Sequence, residues 1–226
     1  PLHEQQPNQT ETNHSRNVGG IIKSVAPESY LYCRGGAVLP TFFDLYASWF
    51  PGWILDWFGV EVLDVPIRVV NRSNGTAADG TDYTTLDRDW DNFIYLNQIP
   101  VFNAAGNEGG VPGSEFIVSP AKGLNVAAVG AYDDNATVTG ADDTIAAFSS
   151  FVDPETGNEK PEISAPGVTV TAGGFTMSGT SMASPHAAAF AADIMSQSTF
   201  VQSKPYLLNA KMIAGATDII AGDPDA

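Results

Sequence analysis

Two kinds of hydrophobic pattern alternate along the chain. The short apolar runs "SYLYC" (29–33), "PIRVVN" (66–71), "IPVFNAA" (99–105) and "LNVAAVG" (124–130) read as buried strands. Between the middle two, "DYTTLDRDWDNFIYL" (82–96) places Leu86, Trp90, Phe93 and Ile94 on one helical face. A richer stretch, "AVLPTFFDLYASWFPGWILDWFGVEV" (37–62), spaces Trp49, Trp53 and Trp57 at i, i+4 and i+8. Asp44, Pro51-Gly52 and Asp56 interrupt it well short of the roughly 20 apolar residues of a membrane span, so it reads as helices packed on a sheet. Strands alternating with helices predict an α/β fold, with a doubly wound, mostly parallel sheet flanked by helices.

At 226 residues, 43% hydrophobic and 16% charged, the chain reads as one globular domain spanning 1–226 and truncated at both ends. Acidic residues outnumber basic ones 26 to 10, a formal charge of −16. That field excludes charge-driven binding to nucleic acid or to anionic membranes. The single cysteine, Cys33, has no internal disulfide partner and reads as a small buried apolar group. Carboxylates crowd "AYDDNATVTGADDT" (131–144) and could serve calcium. Their spacing follows no ligand pattern, so the segment reads as a solvated acidic loop and no metal residue is assigned.

The chemistry concentrates in "GGFTMSGTSMASPHAAAFAADIM" (173–195), where one serine stands between a glycine turn and a run of small residues. Pro185 suits the first turn of a helix, where a missing N–H is harmless. The positive end of that helix dipole favours an anion beside Ser181. "SGTSMASPHAAAF" resembles the nucleophile segment of the subtilisin-like serine proteases, which makes Ser181 the nucleophile. The G-x-S-x-G elbow of α/β-hydrolases is a near neighbour, but Ala183 stands where its last glycine belongs.

Other segments resemble the same family in the same order. "FNAAGNEGG" is similar to its oxyanion segment, with Asn107 as side-chain donor. "NHSRNVGGIIKSVAPESYLYC" is similar to its histidine segment, which puts His14 in the place of the base, although Ser15, Arg16 and Asn17 depart from the usual Gly, Thr and His. His3 lies too far upstream, and His186 follows the serine. "VVNRSNG" resembles the strand to which substrate backbone adds, with Ser73, Asn74 and Gly75 as its binding residues. The primary pocket would then lie between Ser73–Gly75 and Ala104, Ala105 and Gly106. "EFIVSPAKG" places Val118 at its base, and "KPEISAPG" (160–167) matches the run before the nucleophile.

The resemblance implies a secreted serine endopeptidase acting on polypeptides through an acyl-enzyme. It implies no cofactor for catalysis, structural calcium at no assignable site, and a monomer. The family's aspartate precedes its histidine, yet only Glu4 and Glu11 are acidic before His14. The related sedolisins use glutamate but carry aspartate where Asn107 stands, so the expectation puts the aspartate upstream of Pro1. A catalytically inactive module that still binds extended peptides is the alternative. An esterase on an α/β-hydrolase fold is a second, with only His186 available after its serine. Asn-x-Ser/Thr sequons at Asn8, Asn13, Asn71, Asn74 and Asn135 include three at the expected cleft, where a glycan would obstruct binding.

Overall fold

The computed structural model describes residues 2–4, 12–33, 67–76, 80, 82–153, 159–202 and 204–217. The tryptophan segment 37–62, Asn8 and the side chain of Cys33 lie outside the described set. Two units are distinguished, Pro1–Thr10 with Tyr30–Arg68, and Glu11–Ser29 with Val69–Ala226. In the first, strands β1 (Leu2–Glu4) and β2 (Leu31–Cys33) pair in parallel, Leu2 opposite Leu31.

The second unit is built on a mostly parallel sheet. Strand β3 (Val70–Arg72) pairs with β4 (Val101–Ala104), Val70 opposite Val101, and β4 pairs with β5 (Ala127–Asp133), Phe102 opposite Ala127. Strand β7 (Ile163–Pro166) runs parallel to β5, while the two-residue β6 (Thr144–Ile145) returns antiparallel. The apolar runs expected at 99–105 and 124–130 are the buried centre of this sheet. The run at 66–71 yields only its last residues as β3.

Helix α2 (Thr85–Asn97) starts where Thr84 and Asp87 form a reciprocal capping box. Its predicted face is buried, with Trp90, Phe93 and Ile94 each less than a tenth exposed and Trp90 edge-on to Phe93. Helix α3 (Thr180–Ser196) has no such stripe, because it is enclosed nearly all round. Ala183, Ala187, Ala188 and Ala191 lie against Phe102, Val129, Ala131 and Ala165 of the sheet. Only small side chains let a helix axis come that close, so Ala188→Leu would overpack the seam at a cost of about 1–3 kcal/mol. Helices α4 (Thr199–Gln202) and α5 (Pro205–Gly215) follow and close the same core through Val201, Leu208 and Met212.

The histidine segment forms helix α1 (Asn13–Val25). Thr12 Oγ1 accepts from the Ser15 N–H at 3.0 Å and Ser15 Oγ accepts from the Thr12 N–H at 3.0 Å, so Ser15 works as a capping residue. The helix buries Ile21 and packs along α3 and the hairpin of β8 (Val170–Ala172) and β9 (Phe175–Met177).

Candidate active site

Ser181 is the second residue of α3, directly after Gly179-Thr180. A helix start leaves its first N–H groups without intrahelical acceptors, and two of the first three find other partners. The Thr180 N–H donates to Asn107 Oδ1 at 2.9 Å, and the Met182 N–H donates to the Gly179 carbonyl at 2.9 Å. The Ser181 N–H lies between these two and remains an orphan donor on the exposed side of the turn. The Thr180 hydroxyl adds a second bond to Asn107 Oδ1 at 3.0 Å.

These bonds fix the amide's orientation. A backbone N–H can only donate, so the atom facing Thr180 must be the Asn107 oxygen. Asn107 Nδ2 is thereby left as a free pair of donors, and Asn107 is solvent-exposed. A Cβ on Gly179 would lie 3.6 Å from that amide and 3.7 Å from the Ser181 nitrogen, so the two donors flank one small space.

Ser181 and Ser73 are bonded reciprocally across the site. Ser181 Oγ donates to the Ser73 carbonyl at 3.1 Å, and Ser73 Oγ donates to the Ser181 carbonyl at 2.8 Å. Below them Ser184 Oγ donates to Asn71 Oδ1 at 2.7 Å and to the Phe102 carbonyl at 3.2 Å. The hydroxyls of Ser73, Ser181 and Ser184 therefore tie β3, its extension and β4 to the start of α3. Asn71 is engaged as an acceptor in this network, and its Nδ2 donates to Ser73 Oγ. Attaching a glycan there would break it.

The expected pocket residues are brought together. Gly75 and Gly106 face Val118 from two sides. A Cβ on Gly75 would lie 2.3 Å from Val118 Cγ2, and one on Gly106 would lie 3.0 Å from Val118 Cγ1 and 2.7 Å from Ser150 Oγ. Gly106 also holds φ at +123°, which L side chains rarely adopt. Val118 is 8% exposed, its N–H donates to the Ala105 carbonyl at 2.9 Å, and the Thr76 N–H donates to the Ser119 carbonyl at 3.0 Å. The Val118 loop thus bridges the two walls. Ala104 and Ala105 are buried behind them, and Asn74 is exposed. The Asn74 carbonyl accepts from the Arg72 guanidinium at 3.3 Å.

His14 occupies the first turn of α1 and is half-buried. Burial holds its imidazole below the usual histidine value. Among the described residues no carboxylate bonds its ring, and Ser181 Oγ is directed to Ser73 instead. Three residues on, Asn17 is fully buried, and its Nδ2 donates to the carbonyls of Phe175 (2.7 Å), Val170 (3.2 Å) and Ala172 (3.3 Å). Asn17 therefore fastens α1 to the hairpin that leads into Ser181. Met182, which its place next to the expected nucleophile Ser181 would put at an exposed rim, is instead 1% exposed and packed inward.

The sequence reading did not anticipate Lys160. Its ammonium is buried and donates to the Gly123 carbonyl at 2.7 Å, the Val126 carbonyl at 2.8 Å and the Glu162 carboxylate. The other Glu162 oxygen accepts from the Ala128 N–H at 2.7 Å. In the acidic loop, Asp133 and Asp134 accept from the N–H groups of Asn135 and Ala136, and Asp142 accepts from the Thr137 and Thr139 hydroxyls. Those carboxylates fold the loop on itself.

A parallel sheet presenting an amide-anchored turn, with a serine at the head of a buried small-residue helix, defines the subtilisin-like class of α/β fold. The Peptidase S8 model, described as the subtilase family, matches residues 44–222, and the chain belongs to that family. His14 precedes the matched range. The chain is 44% identical over 118 residues to serine protease AprX of Bacillus subtilis (strain 168), covering 44% of this chain and 26% of that protein. It is 37% identical over 139 residues to a subtilisin of Bacillus sp. (strain TA39), covering 57% of this chain and 31% of that protein. The chain thus spans about a third or less of these curated relatives. Among solved structures, the prenylagaramide maturation protease PagA superposes with a TM-score of 0.64 at 23% identity, covering 96% of this chain and 76% of that one. The S41 psychrophilic protease gives 0.63 at 25% identity, covering 94% and 75%. Among the described residues, no helix is long and apolar enough to cross a membrane.

Proposed function

We propose that this chain supplies the nucleophile and oxyanion donors of a serine endopeptidase. The observation that supports this most is the anchoring of Asn107 by Thr180, which leaves Nδ2 and the Ser181 N–H beside one small space at Gly179, next to the serine in sequence. Donors held in advance where charge develops act most strongly on a transition state. In the proposed reaction His14 takes the Ser181 proton as Oγ attacks the scissile carbonyl. The carbonyl oxygen becomes an oxyanion facing Asn107. The C–N bond then breaks as His14 returns the proton to the leaving amine, and water hydrolyses the acyl-enzyme.

The substrate is an extended polypeptide lying along Ser73, Asn74 and Gly75. Its residue before the scissile bond enters between Ser73–Gly75 and Ala104–Gly106, over Val118. Valine in that position selects Leu, Met or Ala over large aromatic side chains. The chemistry uses no cofactor, and the protein works as a secreted monomer.

Two observations favour a second reading, an inactive peptide-binding module: the Ser181 hydroxyl is bonded to Ser73 and, among the described residues, no carboxylate bonds His14. A fluorophosphonate probe on the full-length protein separates the two. Labelling that disappears in Ser181→Ala supports the peptidase, whereas peptide binding without labelling supports the module.

A further inference from the structure

Helix α2 carries two buried carboxylates one turn apart, Asp87 (0% exposed) and Asp91 (7% exposed), and both are directed at the loop that carries Val118. Asp87 Oδ2 accepts from the Ser119 hydroxyl at 2.7 Å, the Thr84 hydroxyl at 2.5 Å and the Thr84 N–H at 2.8 Å. Asp91 accepts from the Asn125 N–H at 2.7 Å, the Leu124 N–H at 2.8 Å and the Tyr83 hydroxyl at 2.8 Å. The segment from Ser119 to Asn125 is therefore held at both ends by one helix face. Burying an ionised carboxylate is costly unless it is well bonded, and helix capping alone requires only Asp87. The hydrogen bonds of both carboxyls go to Tyr83, Thr84, Ser119, Leu124 and Asn125, not to Ser73–Gly75 or Ala104–Gly106.

We infer that Asp87 and Asp91 are positioning residues for specificity, setting from behind the height at which Val118 closes the pocket. Spacing of i and i+4 aligns the two carboxyls along the helix axis, so they fix the loop's height and its tilt together. A pocket floor discriminates between neighbouring apolar side chains only while its position is held, and one methylene is worth about 10–200-fold. Released from these anchors, the loop lets Val118 give way, and large side chains enter.

This inference rests on the pocket assignment proposed above. Ser119→Ala and Asp91→Asn are the deciding variants in full-length protein, since each removes a link to the loop with little change of volume. The readouts are the ratio of kcat/KM for matched Leu and Phe peptides and the rate at which a small fluorophosphonate without a peptide side chain labels Ser181. The expected result is a fall in the Leu/Phe ratio by about tenfold, carried by KM and kcat of the Phe peptide, with labelling within about twofold of wild type. An unchanged ratio overturns the inference. So does a parallel loss of labelling and of both peptide activities, because the carboxylates would then act only on stability. A wild type that is neither labelled nor active fails earlier and removes the functional reading itself.

Discussion

Thr180 holds Asn107 by two bonds to a single oxygen, one from its backbone N–H and one from its hydroxyl. The two bonds are separable by substitution, because Thr180→Val keeps the first and loses the second, together with the bond its hydroxyl accepts from the Gly106 N–H at 3.2 Å. A neutral hydrogen bond of about 1 kcal/mol converts to roughly a fivefold effect, so this variant should lower kcat about fivefold with KM nearly unchanged. Asn107→Ala removes the donor itself. Loss of such a donor in subtilisin costs about 10²–10³ in kcat, a value carried over from that enzyme, and a fall of that order is expected here. Steady-state kinetics on one peptide substrate read both. A KM effect larger than the kcat effect would place Asn107 in ground-state binding.

Val118 meets Gly75 on one side and Gly106 on the other. Val118→Gly opens the floor between them, and kcat/KM for a Phe peptide should rise about tenfold relative to its Leu counterpart. Equal ratios in the two proteins would show that Val118 packs beneath the cleft without shaping it.

The ammonium of Lys160 satisfies two carbonyls and a carboxylate in the interior. Lys160→Met keeps much of the volume and leaves all three acceptors without their cation. Breaking a buried pair in this way costs about 3–5 kcal/mol, and a fall of that size in the unfolding free energy from denaturant titration is expected. A shift below about 1 kcal/mol would show that water replaces the ammonium without penalty.

Burial holds both His14 and His186 below the ordinary histidine value. The folded state then binds fewer protons than the unfolded state below about pH 6.5. Their contribution is fully present above that pH and is lost as pH falls through the lowered values. Unfolding midpoints should therefore drop between pH 7.5 and 5, and the drop should be smaller in His186→Gln. His186 Nδ1 lies 2.9 Å from the Met182 carbonyl, a bond the glutamine amide can make in its place. With His14 as the proposed base, the same shift puts the acid limb of kcat/KM below about pH 6.5, since the base must be neutral.

The residues legible in the sequence are those whose requirement is local. Trp90, Phe93 and Ile94 repeat at helical spacing, and Ser181 announces itself because a turn and a small-residue helix must adjoin it. Asp87 and Asp91 were not legible, because a carboxylate on an amphipathic helix ordinarily faces water. Only the approach of the 119–125 segment, distant in sequence, makes them interior groups. Lys160 is hidden for the same reason. Asn17 reads as a departure from a pattern, and its use emerges only when the hairpin at 170–177 folds against it. Met182 misleads in the other direction, since adjacency to a nucleophile says nothing about which way a helical side chain points.

The clasp between Asn17 and the β8–β9 hairpin has a mechanical consequence. His14 and Ser181 lie on separate segments, and a single amide three residues beyond the histidine grips the ribbon that leads to the serine. The two segments are thus fastened to each other: a shift of α1 along its axis must carry the ribbon with it or break these bonds. Drift between the two segments becomes a motion that must first unmake the bonds of one buried amide. Thermal agitation at this end of the molecule is thereby channelled into displacements that both groups share.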